Sequence, residues 1–269
     1  MQKVARRMRW VAAMGVALVG VGVQAQQTAK DVVNTMLAQE RAAQAHRDNY
    51  MYVAEERSER TGEHMWTERI AETPSGRVRF LLKEDGQPLP PDRAGKERGR
   101  LAEDAAHPEA FVKREQAQKD DETHARQMLE LLPKAFILEN MKEQNGDWRI
   151  DFRPDPNYSP SGMEERVLHG MSGWMLINQR QMRLHHIEGR LPADLSIGFG
   201  LVSVKAGSNF ETTKAAFDGD WRTVRVISDI RGKAALFKSI SRNQDVTRGE
   251  FKRVENTLSV PQAVEMVER

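Results

Sequence analysis

The sequence predicts an α+β fold that is mainly antiparallel β. The core would be one strongly curved sheet or half-open β-barrel of about 11–12 strands, with an N-terminal helix and a helical insert at residues 92–134 on its concave side. Three observations predict it. Apolar residues recur with period two through most of the chain between Tyr50 and Val254. Short turn signals such as Asn145-Gly146 and Asp218-Gly219 join successive runs, which makes neighbouring strands antiparallel. Helical spacing is confined to the start and to one charged stretch.

Taken in order, Thr28-Ala29-Lys30-Asp31 reads as a capping box. Val32, Val33, Met36, Leu37 and Ala43 then share one helical face, predicting an amphipathic helix over residues 29–46. Tyr50–Glu59 and His64–Glu72 flank the turn Arg60-Thr61-Gly62-Glu63, and Arg77–Lys83 follows Pro74-Ser75-Gly76, which makes a three-strand meander. Asp92–Lys134 is charged and Ala-rich, with His107-Pro108 dividing it into two helices. Its one dense apolar cluster is Met128, Leu129, Leu131 and Leu132, so most of it is expected to be solvated. Strands resume with Phe136–Glu143 and Trp148–Arg153, and a proline-bearing loop follows over Pro154–Gly162. The expected hairpin Gly173–Asn178 and Met182–Leu191 precedes strands at Leu195–Lys205, Asn209–Phe217, Trp221–Ile230, Ala234–Arg242 and Val246–Val254. Asn256–Arg269 reads as a tail or a short helix.

The first 25 residues have a different character. Met1–Arg9 carries Lys3, Arg6, Arg7 and Arg9 and no acid, Val11–Val23 is apolar, and Val23-Gln24-Ala25 has the small-x-small pattern of a signal-peptidase site. This is the pattern of a cleavable secretory signal, residues 1–25, with the exported product beginning at Gln26. An apolar run of about 13 residues is short of the roughly 20 that span a bilayer. The segment holds four of the 41 Lys and Arg and none of the 39 Asp and Glu, so residues 26–269 carry a net charge of −2. The basic excess therefore belongs to the signal and is no argument for nucleic acid. The chain has no cysteine. That excludes disulfides, thiol catalysis, Cys-based metal sites and an acylated cysteine anchor. The expected location is the periplasm, with peripheral or no membrane association.

Motifs for chemistry are absent from the sequence. There is no HExxH, no GxSxG and no GxxxxGK[ST]. His185 and His186 are adjacent on an expected strand and point to opposite faces, so they do not chelate together. The sequence thus predicts no catalytic residue, no metal site and no cofactor. A ligand cavity is the better expectation, with candidate lining residues Tyr52, Trp148, Phe152, Trp174, Leu176, Gly198, Gly200 and Trp221. The aromatic and aliphatic members would supply an apolar wall, and the glycines would leave space on one strand face.

Gly173-Trp174-Met175-Leu176-Ile177-Asn178 followed by Gln181-Met182-Arg183-Leu184 resembles the strand-turn-strand signature of the LolA/LolB/RseB-like superfamily of outer-membrane lipoprotein-sorting proteins and their relatives. The chain is more narrowly similar to an uncharacterised exported bacterial branch, through Tyr50-Met51-Tyr52 with Glu56-Arg57, Ser196-Ile197-Gly198-Phe199-Gly200-Leu201 and Leu236-Phe237-Lys238. The resemblance spans residues 29–254. It implies a single LolA-like domain over residues 26–255, with 256–269 as a tail. It also implies an unclosed barrel whose concave, helix-capped cavity carries the acyl chains of lipoproteins, or in the RseB-like branch senses envelope components.

The large charged insert departs from that pattern, and no lid or ligand-contact residue of the carriers aligns with a position here. The functional expectation is a soluble, monomeric periplasmic binding or carrier module for a lipid or an acylated lipoprotein, possessing no enzymatic activity. An envelope-stress sensor that docks an envelope protein is the alternative, and an envelope hydrolase the second alternative.

Overall fold

The structure is a computed structural model that describes residues 27–198, 202–234, 238–239 and 242–269. The proposed signal and Gly200 lie outside the described residues. In chain order the elements are α1 (Ala29–Ala45), β1 (Asn49–Ser58), a 3₁₀ turn (Glu59–Thr61), β2 (Trp66–Thr73), β3 (Gly76–Glu84), β4 (Gln87–Pro88), α2 (Pro91–Ala106), α3 (Pro108–Leu129) and α4 (Leu132–Ala135). Then come β5 (Phe136–Gln144), β6 (Asp147–Pro154), α5 (Met163–His169), β7 (Ser172–Asn178), β8 (Arg183–Arg190), β9 (Leu195–Ile197) and β10 (Val202–Val204). The last are β11 (Asn209–Phe217), β12 (Asp220–Ile230), β13 (Gly232–Ala234), β14 (Lys238–Ser239), β15 (Arg242–Val254) and α6 (Val260–Glu268).

Eleven strands form one antiparallel sheet in the order β4-β3-β2-β1-β15-β12-β11-β8-β7-β6-β5, and it is not closed into a barrel. The long final strand β15 lies between β1 and β12, so it joins the N-terminal meander to the later hairpins. The β5–β6, β3–β4 and β11–β12 connections each place two successive residues at positive φ. These are Asn145 and Gly146, Asp85 and Gly86, and Asp218 and Gly219, the backbone a tight primed hairpin turn requires. A separate small sheet, β14-β13-β10-β9, stands beside the large one.

Alternation along the strands assigns the helices to faces. Helix α1 begins at the Thr28–Asp31 capping box and buries Val32, Val33, Met36 and Leu37. It packs on Ile150, Phe152, Met175, Ile177, Leu184 and Ile187 of β6, β7 and β8. At the other end of the sheet Tyr52 pairs with Ile70, while their neighbours Met51 and Ala71 face the opposite way. Ala71, Val78 and Phe80 meet Leu101 of α2, Phe111 of α3, and Val260, Val264 and Val267 of α6. The helical insert is therefore divided between the two sides of the sheet and does not lie on one side as the sequence predicts. It crosses at the β2–β3 turn, where Lys119 donates to the Pro74 carbonyl at 3.1 Å and Glu115 accepts from the Arg77 N–H at 3.0 Å. A Cβ on Gly76 would stand 2.5 Å from Glu115 Cγ, so the crossing needs glycine there.

Three further segments refine the sequence reading. Leu195–Lys205 is two short strands, β9 and β10, paired antiparallel from Val202–Ile197 to Val204–Leu195. The chain reverses between them and Gly198 has φ +64°, so this glycine serves a turn and not the middle of a strand. Of the two readings of 256–269, a tail or a short helix, the structure has the helix, packed and not free, because the Ser259–Gln262 capping box starts α6 and four of its side chains are buried. Helix α5 occupies residues to which the sequence assigns no element, just after the proline-bearing loop.

Candidate functional site

A cavity of about 720 Å³ lies between α1, the second half of α3 and the middle of the large sheet. That volume is within the roughly 300–1,000 Å³ typical of small-molecule sites. Leu37 of α1 and Met128 and Leu129 of α3 form the helical walls. Leu184, Ile187, Phe210, Val226 and Phe251 form an apolar floor on β8, β11, β12 and β15. The cross-strand pair Thr212 and Val226 stands in the middle of that floor.

Charge is distributed around this apolar floor in two clusters. In the first, Glu72 accepts from Arg47 at 2.6 Å and from Arg222 at 2.5 Å, with Arg77 at 3.8 Å. Arg77 also bonds Glu122, which ties α3 to the sheet. Burial alone would raise the Glu72 carboxyl, but Arg47, Arg222 and Arg77 outweigh it and hold the group below the ordinary glutamate range. In the second cluster Glu40 of α1 accepts from Lys214 at 2.6 Å and Arg183 at 2.9 Å. Burial again opposes ionisation, and the two cations again depress the carboxyl. Burial lowers the Lys214 ammonium against the pull of Glu40.

Arg248 belongs to neither cluster. It projects from β15 toward the cavity, half-buried, with its guanidinium 6.0 Å from the Tyr52 ring centroid. Burial lowers its pKa; Tyr52 opposes that shift, and the like charges of Arg77 and Arg79 add to it. Among the described residues Arg248 donates no side-chain hydrogen bond and has no salt-bridge partner.

The residues singled out from the sequence fall in different places. Tyr52 and Trp221 line the cavity. Tyr52 is 2 % exposed and its ring lies 5.2 Å from that of Phe251. Trp221 donates its indole N–H to Gln181 at 2.5 Å. Phe152 is buried in the core under α1, edge-on to Phe136 at 5.3 Å, and Trp148 packs at the margin of that core. Trp174 and Leu176 are on the opposite face of the sheet, because β7 turns the alternate residues Met175 and Ile177 to the core. There Trp174 stacks on His186 at 4.6 Å beneath the Arg149 guanidinium at 4.1 Å. Gly198 follows β9 at the turn of the small sheet and does not line the cavity.

Sequence reasoning missed Arg248, Arg222, Glu72, Phe210 and Phe251. One signal was available: Glu72 shares the face of Ile70 and Tyr52, and an acid on an apolar strand face implies a buried cation.

Neither a protein-family model nor a curated protein nor a solved structure matches the chain. Among the described residues no helix is long and apolar enough to cross a membrane, and no group of three or more His, Asp or Glu side chains could hold a metal ion.

The arrangement can hold an elongated apolar molecule against the sheet, with cations available at its margin. Contact with the floor would remove apolar surface from water at roughly 25 cal/mol per Å².

Proposed function

We propose that the protein is a binding or carrier module for a hydrophobic ligand, a lipid or an acylated protein, and that it works by burial and not by catalysis. The observation that carries this reading is the cavity of about 720 Å³ floored by Leu184, Ile187, Phe210, Val226 and Phe251 and roofed by helices. In this reading the open sheet bends around the cavity as a half-barrel, as the resemblance to the LolA/LolB/RseB-like superfamily implies. The signal-like segment at residues 1–25 directs the chain to the periplasm, where acyl chains need shielding from water.

The ionisable groups of the cavity support binding over chemistry. Glu72 and Glu40 are each held by two cations at 2.5–2.9 Å, an arrangement that stabilises the charged carboxylates and leaves neither of them poised as a general acid. Release of ligand would require the roof to move. Among the described residues, the second half of α3 has no buried side chain beyond Phe111, and the Arg77–Glu122 and Arg41–Glu130 pairs help to hold it in place.

Mass spectrometry of the protein extracted natively from its host, together with displacement of a fluorescent fatty acid from the purified protein, tests the proposal. A co-purifying lipid and saturable displacement are expected. Absence of both would overturn it.

A further inference from the structure

Building on the carrier reading, we infer that the ligand is an anionic amphiphile, an acyl chain ending in a carboxylate or phosphate, and that Arg248 holds its charged end. The first support is the balance of charge. Among the described residues that line the cavity, eight are cationic and five acidic. The five acids are already committed or peripheral: Glu72, Glu40, Glu122 and Glu130 have cationic partners, and Asp220 accepts from the Tyr50 hydroxyl at 3.1 Å. The surplus is therefore positive, in a cleft whose apolar lining strengthens any charge pairing made there.

The second support is the position of Arg248. It stands on the central strand β15, which places it beside the floor residue Phe251 and not on the outer rim. A guanidinium so placed is a fork that can meet a carboxylate or a phosphate with two parallel hydrogen bonds. Glu122, the acid whose charge acts on Arg248, is already paired with Arg77. The anion would stand at the Tyr52 end of the cavity. The chain would run from there along Val226 and Phe210 toward Leu184, under Leu37 and Leu129. A neutral lipid of the same length would fill the same floor but leave Arg248 without an anion.

The test compares palmitate, hexadecyl phosphate, cetyl alcohol and acetate as competitors of a fluorescent fatty acid on the full exported chain. Palmitate and hexadecyl phosphate should each bind at least about tenfold more tightly than cetyl alcohol of the same chain length, the size expected of a hydrogen bond to a charged group. Acetate should not compete, because it lacks the chain. Arg248→Gln should abolish the preference for the acid while leaving affinity for the alcohol unchanged, and Arg248→Lys should restore part of it. Equal affinity of the wild-type protein for palmitate and cetyl alcohol would overturn the inference and leave the carrier reading standing. Equal loss of both ligands in a folded Arg248→Gln protein would also overturn it. Failure of every amphiphile to bind would overturn both readings. The wild-type comparison needs no variant, so a poorly folding substitution does not weaken the test.

Discussion

Glu72 is 5 % exposed, and its carboxylate is the anion that lets Arg222 and Arg47 stand in an apolar cleft. Arg222 is equally enclosed at 6 %. Removing one partner of such a pair leaves an uncompensated buried charge, so Glu72→Gln should cost roughly 3–5 kcal/mol in denaturant unfolding. A loss below 1 kcal/mol would contradict the description. The sign of the pH dependence follows from the same contacts. Glu72 and Glu40 have folded-state pKa values below their unfolded ones. Their contribution is complete above the ordinary glutamate range and is lost as pH falls through the depressed values. Stability of the wild-type protein should therefore fall with acidification below that range, and Glu72→Gln should flatten the slope. Denaturant midpoints at stepped pH measure this, and parallel curves would contradict it. Gly173 supplies a steric test. A Cβ there would lie 1.9 Å from the Glu188 carbonyl oxygen, so Gly173→Ala should lower stability by about 1–3 kcal/mol or more. An unchanged melting temperature would show that the strands do not approach so closely. Single residues also show where the sequence was opaque. In β7 both alternating sets, Trp174 with Leu176 and Met175 with Ile177, are apolar, so period-two reasoning has no basis for choosing the face. The structure resolves the choice because His186 and Arg149 cover Trp174 on the outer side.

Elements were legible where local chemistry requires one backbone shape. The Thr28 cap, the Asn145-Gly146 and Asp218-Gly219 turns and the period-two strands between them are such cases, and they account for most of the large sheet. The helical insert was legible as helix but not in its placement. Leu101 and Phe111 are isolated apolar residues in a charged stretch, yet both are at most 2 % exposed against β2, β3 and α6. Their burial depends on α6, whose own signal is the brief capping box Ser259–Gln262 with a proline in the first turn. Removing residues 258–269 should therefore uncover Val78, Phe80, Leu101 and Phe111 and abolish a cooperative thermal transition, measured by far-ultraviolet circular dichroism. A dispensable tail would leave the melt unchanged.

At the scale of the molecule, the two faces of the sheet do different work. The face of Ala71, Val78 and Phe80 is sealed by α2, α6 and the start of α3. The other face is sealed by α1 over β6–β8 but leaves about 720 Å³ beneath the second half of α3. Strand β15, last in sequence, carries Arg248 and Phe251 between β1 and β12. The site therefore comes together only when the C-terminal strand inserts into the middle of the sheet. This long-range assembly explains why Arg248 could not be found from its neighbours in sequence. If the space above Thr212 and Val226 receives an acyl chain, a bulky side chain placed there should exclude it. Thr212→Trp should weaken displacement of a fluorescent fatty acid by at least about tenfold, equivalent to roughly 1.4 kcal/mol, with the melting transition retained. Undiminished binding by the folded variant would show that the acyl chain does not occupy this space.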